Sequence, residues 1–113
     1  MKKINTIKKY REFKEILNLR HFIRNDIFCV YFRENSYDKS RVGLLVTKKN
    51  GNAVTRNKIK RQTRSIVDSV FDYKKAMDVI IVINKKYDVN EFEKNKIALT
   101  SILTSLLGEK NEN

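Results

Sequence analysis

The sequence predicts a single α+β domain, with elements in the order αβββαβα and a small mixed sheet packed by helices. Three observations carry that expectation. Val79-Ile80-Ile81-Val82-Ile83 is an unbroken β-branched run, the pattern of a strand covered on both faces. Two stretches, one near the start of the chain and one from about Asn90 to Leu107, repeat apolar residues at helical spacing. Between them, Arg41 to Arg64 reads as strand, tight turn and basic helix: RVGLLVTKKNGNAVTRNKIKRQTR. With 113 residues, 41% of them hydrophobic, three Gly and no Pro, the chain can build one compact core and is too short for two domains.

Taken in chain order, Ile7, Tyr10, Phe13 and Leu17 make an apolar stripe on a first helix of roughly three to four turns. Lys8, Lys9, Arg11 and Lys14 flank it, so the outer face is basic. His21 to Arg24 and Ile27 to Arg33 read as two short strands about an Asn25-Asp26 turn, and Asn35 to Lys39 as a polar loop. Alternation at Val42, Leu44 and Val46 suits a third, half-buried strand. Asn50-Gly51-Asn52 then supplies a residue free to take positive φ and a capping side chain, and a helix starts at about Ala53. On that helix Ile59, Ile66, Val67 and Val70 share one side, while Arg56, Lys60 and Arg64 fall on a neighbouring stripe at i, i+4 and i+8, widened by Asn57 and Arg61. The Val79 to Ile83 strand is expected in the middle of the sheet. The last helix places Phe92, Leu99, Leu103 and Leu106 on one side and stops near Gly108, leaving residues 109–113 as a polar tail expected to be disordered.

Charge narrows the partner. The formal net charge is +12, and Arg41 to Arg64 holds eight Lys and Arg residues with no Asp or Glu. Like charges four apart destabilise a helix by a few tenths of a kcal/mol per pair, so an uninterrupted row of them points to an anionic ligand, by default nucleic acid. The bland reading, a charged face that only keeps the protein in solution, fits less well because interleaved acids are missing. One cysteine, Cys29, excludes an internal disulfide and a Cys-based zinc site, as in a reducing interior. No apolar run is long enough to span a bilayer, and MKKINTIKKYREF lacks the apolar region of a secretion signal; a cytoplasmic protein is expected. Catalytic chemistry has no foothold. His21 is the only histidine and sits in no motif with a nucleophile or metal cluster, and Ser65, Ser69 and Cys29 lack an adjacent base. Glu12 with Glu15, and Glu91 with Glu93, stand among lysines and read as solvated helix partners rather than a metal pair.

The segment KKNGNAVTRNKIKRQTR resembles the signature of the protein subunit of bacterial ribonuclease P, whose helix reads close to GNAVxRNRxKRxxR. The first helix with EFKEIL, the IFCVYF and RVGLLVTKK strands and the DVIIVI strand fall where that family has them, so the resemblance spans nearly the whole chain. It implies an α/β sandwich with a left-handed βαβ crossover, against the right-handed rule that holds for about 98% of such units. It also implies a ribonucleoprotein in which the catalytic RNA, using magnesium held mainly by RNA, removes the 5′ leader of precursor tRNA. In that arrangement the protein has no catalytic residue; it binds the RNA and the leader, and no obligatory protein partner is expected.

By the same resemblance Arg56, Asn57, Lys58, Lys60, Arg61 and Arg64 contact the catalytic RNA; Lys48 and Lys49 extend the same positive surface, and Asn52 at the turn is counted with them as RNA-binding. Lys58 stands where the family more often has Arg, which gives up a planar bidentate fork. The Gly51 turn adds backbone N–H donors. Phe13, Leu17 and Tyr31 match a cleft between first helix and sheet that takes the leader, with Lys9 and Cys29 counted beside them as leader-binding; Leu17 replaces a common aromatic. Cys29 and Tyr31 point opposite to Phe28, Val30 and Phe32, so one sheet face carries an aromatic on which single-stranded RNA can stack. Without the resemblance, burial in the core is the simpler fate for Phe13, Leu17 and Tyr31. Two other readings stay open: a generic or ribosomal-type RNA-binding protein with no part in leader removal, and a free-standing nuclease.

Overall fold

A computed structural model describes residues 5–108. Three helices, α1 (Tyr10–Leu19), α2 (Ala53–Val70) and α3 (Phe92–Gly108), pack on four strands, β1 (Phe22–Arg24), β2 (Phe28–Glu34), β3 (Arg41–Leu45) and β4 (Met77–Ile83), in the order αβββαβα. The expectation for the tail falls on residues 109–113, outside the described ones.

The sheet order is β1-β2-β4-β3. β4 lies inside it, antiparallel to β2 and parallel to β3, so β3, α2 and β4 form a parallel crossover. The burial of β4 follows from this placement: Asp78 to Ile81 and Ile83 are buried, because helices cover both faces.

Register sorts the side chains into two faces. On one, Val42, Val79 and Phe32 pair across the sheet, as do Leu44, Ile81, Val30 and Ile23; with Phe28 and Ile83 they meet Ile59, Ile66 and Val67 of α2 and Leu99, Ile102 and Leu103 of α3 in the main core. On the other face the rows are Arg41, Asp78, Arg33; Gly43, Ile80, Tyr31, Phe22; and Leu45, Val82, Cys29, Arg24. α1 lies over this second face in a smaller cluster of Ile7, Ile16 and Ile80, with Phe13, Leu17, Tyr31 and Val82 packed against it.

The first helix departs from expectation. Ile7 is buried but precedes α1: the chain runs extended beside β3, where Thr6 pairs in parallel with Val42, the Ile7 N–H donates to the Val42 carbonyl at 3.0 Å, and Asn5 Nδ2 donates to the Ser40 carbonyl at 2.8 Å. This short segment covers the outer edge of β3. Tyr10, placed on the stripe by spacing, is 76% exposed, and the buried helical residue is Ile16. The covered face of α1 is therefore Glu12, Phe13, Ile16 and Leu17, not the Ile7 to Leu17 row.

The segment between β3 and α2 is built by side-chain caps. Thr47 Oγ1 accepts from the Lys49 N–H and Asn50 Oδ1 from the Thr47 N–H, closing a single 3-10 turn over Lys48–Asn50. Asn50 Nδ2 donates to the carbonyls of Ile83 and Asn84, tying this turn to the end of β4. Gly51 takes φ 123°, a region costly for any residue with a Cβ. Asn52 Oδ1 then accepts from the Thr55 N–H at 2.9 Å and starts α2.

Candidate nucleic-acid interface

α2 separates its two sides cleanly. Ile59, Thr63, Ile66 and Val67 are buried; Asn57, Lys58, Arg61 and Arg64 are exposed, and Arg56 and Lys60 are half-buried along the flank. Among the described residues none of its basic side chains forms an ion pair. Arg56 Nη1 donates to the Gly51 carbonyl at 3.1 Å, which holds the guanidinium at the turn. Lys48 and Lys49 are exposed on the turn before it, so all nine residues from Lys48 to Arg64 singled out in the sequence lie on the 3-10 turn, the cap or α2. The arrangement can bind an extended polyanion, since no ion pair among the described residues neutralises these side chains.

The second surface lies on the opposite face of the sheet. Phe13 sits so close over Gly43 that a Cβ there would come within 2.5 Å of the ring carbon Cζ. Ile16 covers Ile80, while the row beyond, Leu45, Val82 and Cys29, stays half-exposed. The result is a strip with Phe13 and Leu17 as one wall and Tyr31, Cys29 and Val82 as floor. At its β4 end it opens into a hollow of about 690 Å³ bounded by Cys29, Thr47, Lys49, Asn50, Val82, Asn84 and Lys85. Asn84 and Lys85 were not legible as site residues: the signal would have been their position one and two residues past a buried strand. Lys9, the residue before α1, lines a separate hollow with Arg11, Glu12 and Glu15.

Burial pushes the Cys29 thiol above its ordinary pKa, an effect that hydrogen bonding to Tyr31 and the charge of Arg24 only partly oppose. Burial, with Cys29 adding to it, likewise raises the Tyr31 phenol. Both stay protonated at neutral pH, so the floor of the strip is uncharged and Cys29 is no activated nucleophile.

A charged cluster sets the height of α1 above this floor. Asp78, 0% exposed, accepts from Arg41 Nε and Nη2 at 2.9 Å each, from Arg33 Nε at 3.0 Å and from Asn35 Nδ2 at 2.8 Å. Arg41 in turn donates to both oxygens of Glu12 on α1, at 3.2 and 3.0 Å, and its guanidinium lies 4.3 Å from the ring centroid of Tyr37. Glu12 is thus a part-buried ion-pair partner and not the solvated helix residue its lysine neighbours suggest; Glu15 reaches Arg33 at 3.4 Å. Burial alone would raise the pKa of Asp78, yet hydrogen bonds from Arg41, Asn35 and Arg33, with the charge of Arg41, bring it below the usual carboxylate value. Among the described residues no group of three or more His, Cys, Asp or Glu side chains is placed to hold a metal ion, and Asp78 is saturated by its donors.

One helix over one sheet face, two over the other, and a helix whose basic side chains form no ion pair among the described residues define a small basic α+β domain with two separate surfaces. A family model described as Ribonuclease P matches residues 1–107. The ribonuclease P protein component of Mesoplasma florum is 37% identical over 109 residues, covering 95% of this chain and 99% of that one. The structure of the Staphylococcus aureus RNase P protein superimposes with a TM-score of 0.78 at 31% identity, over 91% of this chain and 95% of that chain. The RNase P protein from Thermotoga maritima gives 0.74 at 29% identity, over 88% and 96%. The chain belongs to the ribonuclease P protein family, whose role lies in the 5′ processing of tRNA.

Proposed function

We propose that this chain is the protein subunit of a ribonuclease P ribonucleoprotein acting in the cytoplasm, where it binds the catalytic RNA through α2 and the 5′ leader of precursor tRNA along the strip beneath α1. The observation that carries this reading is the separation of the two surfaces by the sheet: a cationic helix whose basic side chains form no ion pair among the described residues on one side, a half-open aromatic and apolar strip on the other. Each suits a different form of RNA. The α2 row suits a folded RNA backbone, because it offers charge without base-reading geometry. The strip suits an unpaired strand, because Tyr31 and Phe13 offer ring faces and Lys49 and Lys85 offer cations where the strip ends.

In this reading phosphodiester hydrolysis belongs to the RNA subunit, with magnesium held mainly by RNA. The protein supplies no bond-breaking group; it neutralises phosphates and keeps the leader beside the catalytic RNA. The test is cleavage of a precursor tRNA by a bacterial ribonuclease P RNA at low magnesium, with protein, without it, and with protein alone. Stimulated cleavage at the mature 5′ end that needs both components is the expected result. Tight, salt-sensitive RNA binding with no stimulation would leave a ribosomal-type binder, and cleavage by rigorously purified protein alone would make it a nuclease.

A further inference from the structure

Phe22 is a large apolar side chain that neither core absorbs. On β1 its neighbour Ile23 turns to the main core, so Phe22 and Arg24 emerge on the α1 side of the sheet. There Phe22 is 40% exposed and belongs to neither core cluster. It pairs in register with Tyr31, and the two rings stand 5.2 Å apart at 46°. The guanidinium of Arg24 lies 6.0 Å from the Phe22 ring centroid. Arg20, which ends α1 with φ 57°, brings a second cation whose charge is felt at Tyr31. The row Ile80, Tyr31, Phe22 thus continues the leader strip out to the edge of the sheet, and two arginines accompany it.

We propose that Phe22 is a second stacking platform for the leader, taking a base beside Tyr31 while Arg20 and Arg24 hold the passing backbone. The proposal rests on the leader strip argued above and adds a residue to it. Leu17, on the helix wall, offers apolar contact but no ring face, so the aromatic groups along this row are Phe13, reaching down from α1 over Gly43 at one end, Tyr31 on the sheet, and Phe22 at the other end. A bland alternative has Phe22 only shielding the edge of Tyr31. That task needs apolar bulk but no ring face, and it gives the two arginines no ligand. An unpaired polyanion uses the ring and both cations together.

The experiment uses the holoenzyme reconstituted from this protein and a bacterial ribonuclease P RNA, with precursor tRNA and mature tRNA as ligands. Phe22→Leu keeps apolar bulk and removes the ring. It is expected to weaken precursor binding by about 5- to 150-fold, the worth of one base stack, while mature tRNA binding and holoenzyme assembly stay unchanged. Phe22→Trp restores binding. Because the chain contains no tryptophan, Phe22→Trp also installs a single fluorophore, which precursor tRNA should quench and mature tRNA should not. Absence of that selective quenching, with Phe22→Leu binding precursor like the parent while Tyr31→Ala loses its preference for precursor, overturns the platform and leaves the strip intact. If neither variant changes a leader preference that the parent holoenzyme displays, the strip itself is misplaced and the platform falls with it.

Discussion

Replacing Asp78 by Asn keeps the shape of the side chain and removes one charge from the middle of the Arg33, Arg41 and Glu12 cluster. Asp78 accepts four hydrogen bonds, three of them from guanidinium groups. An amide offers one oxygen and turns an NH2 toward donors, so at least one guanidinium N–H loses its partner out of reach of water. Removing one member of a buried pair costs about 3–5 kcal/mol. Arg41 keeps Glu12 and Arg33 keeps Glu15, so the lower end, about 3 kcal/mol, is expected. With a urea slope of about 1–3 kcal/mol/M the unfolding midpoint should fall by about 1–3 M, against a total stability of roughly 5–15 kcal/mol. The pH dependence supplies a second readout. The folded Asp78 pKa lies below its unfolded value, so its contribution is complete above the ordinary carboxylate pKa near 4 and is lost as pH falls through the lower, folded value. The parent should therefore lose stability from about pH 4 downward more steeply than Asp78→Asn does. Equal urea midpoints, or parallel acid-unfolding curves, would refute the assignment of that stability to Asp78.

Gly43→Ala should push Phe13 off the sheet, costing about 1–3 kcal/mol in urea melts and weakening precursor more than ribonuclease P RNA binding, because the added Cβ meets the Phe13 ring. Arg56→Ala or Arg61→Ala should weaken binding of the catalytic RNA and reduce the log–log salt slope by about 0.7 to 0.9 per contact, whereas Tyr31→Ala should weaken leader capture and spare the RNA subunit. Identical defects in both kinds of variant would argue for one surface instead of two. Asn52→Ala removes the cap of α2 and should cost about 1 kcal/mol by thermal or urea unfolding, with Asn52→Asp restoring most of it.

Local chemistry made much of this fold legible. The β-branched run of β4 could only suit a strand with both faces covered, and Gly51 with Asn52 marked the turn and the start of α2 to the residue. The α2 stripe was legible because helical spacing and missing acids coincide on the same side. Spacing misled at the first helix, because Ile7 is apolar and stands three residues before Tyr10 and six before Phe13, but it reaches the core by pairing beside β3, a long-range contact that periodicity cannot register. Glu12 misled for the same reason: its partner Arg41 is 29 residues away. The strip was half legible. Alternation put Cys29 and Tyr31 on the face opposite to Phe28, but only the sheet order brings Val82 and Phe22 alongside them. Handedness of the β3, α2, β4 crossover leaves no trace in periodicity, since either hand buries the same residues.

The two faces of β2 and β4 also constrain how such a chain can change over time. Each strand behaves as a text read in a frame of two: one set of letters writes the main core, the alternate set writes the ion cluster and the strip. Exchanging one letter for a similar one disturbs a single row. Dropping one letter between Asp78 and Val82 shifts the frame, sending a carboxylate in among Ile59 and Leu99 and an aliphatic side chain between Arg33 and Arg41. Neither half can then be repaired without undoing the other. Drift in this lineage is therefore free to respell these strands and barred from respacing them, and changes of length are left to the loops.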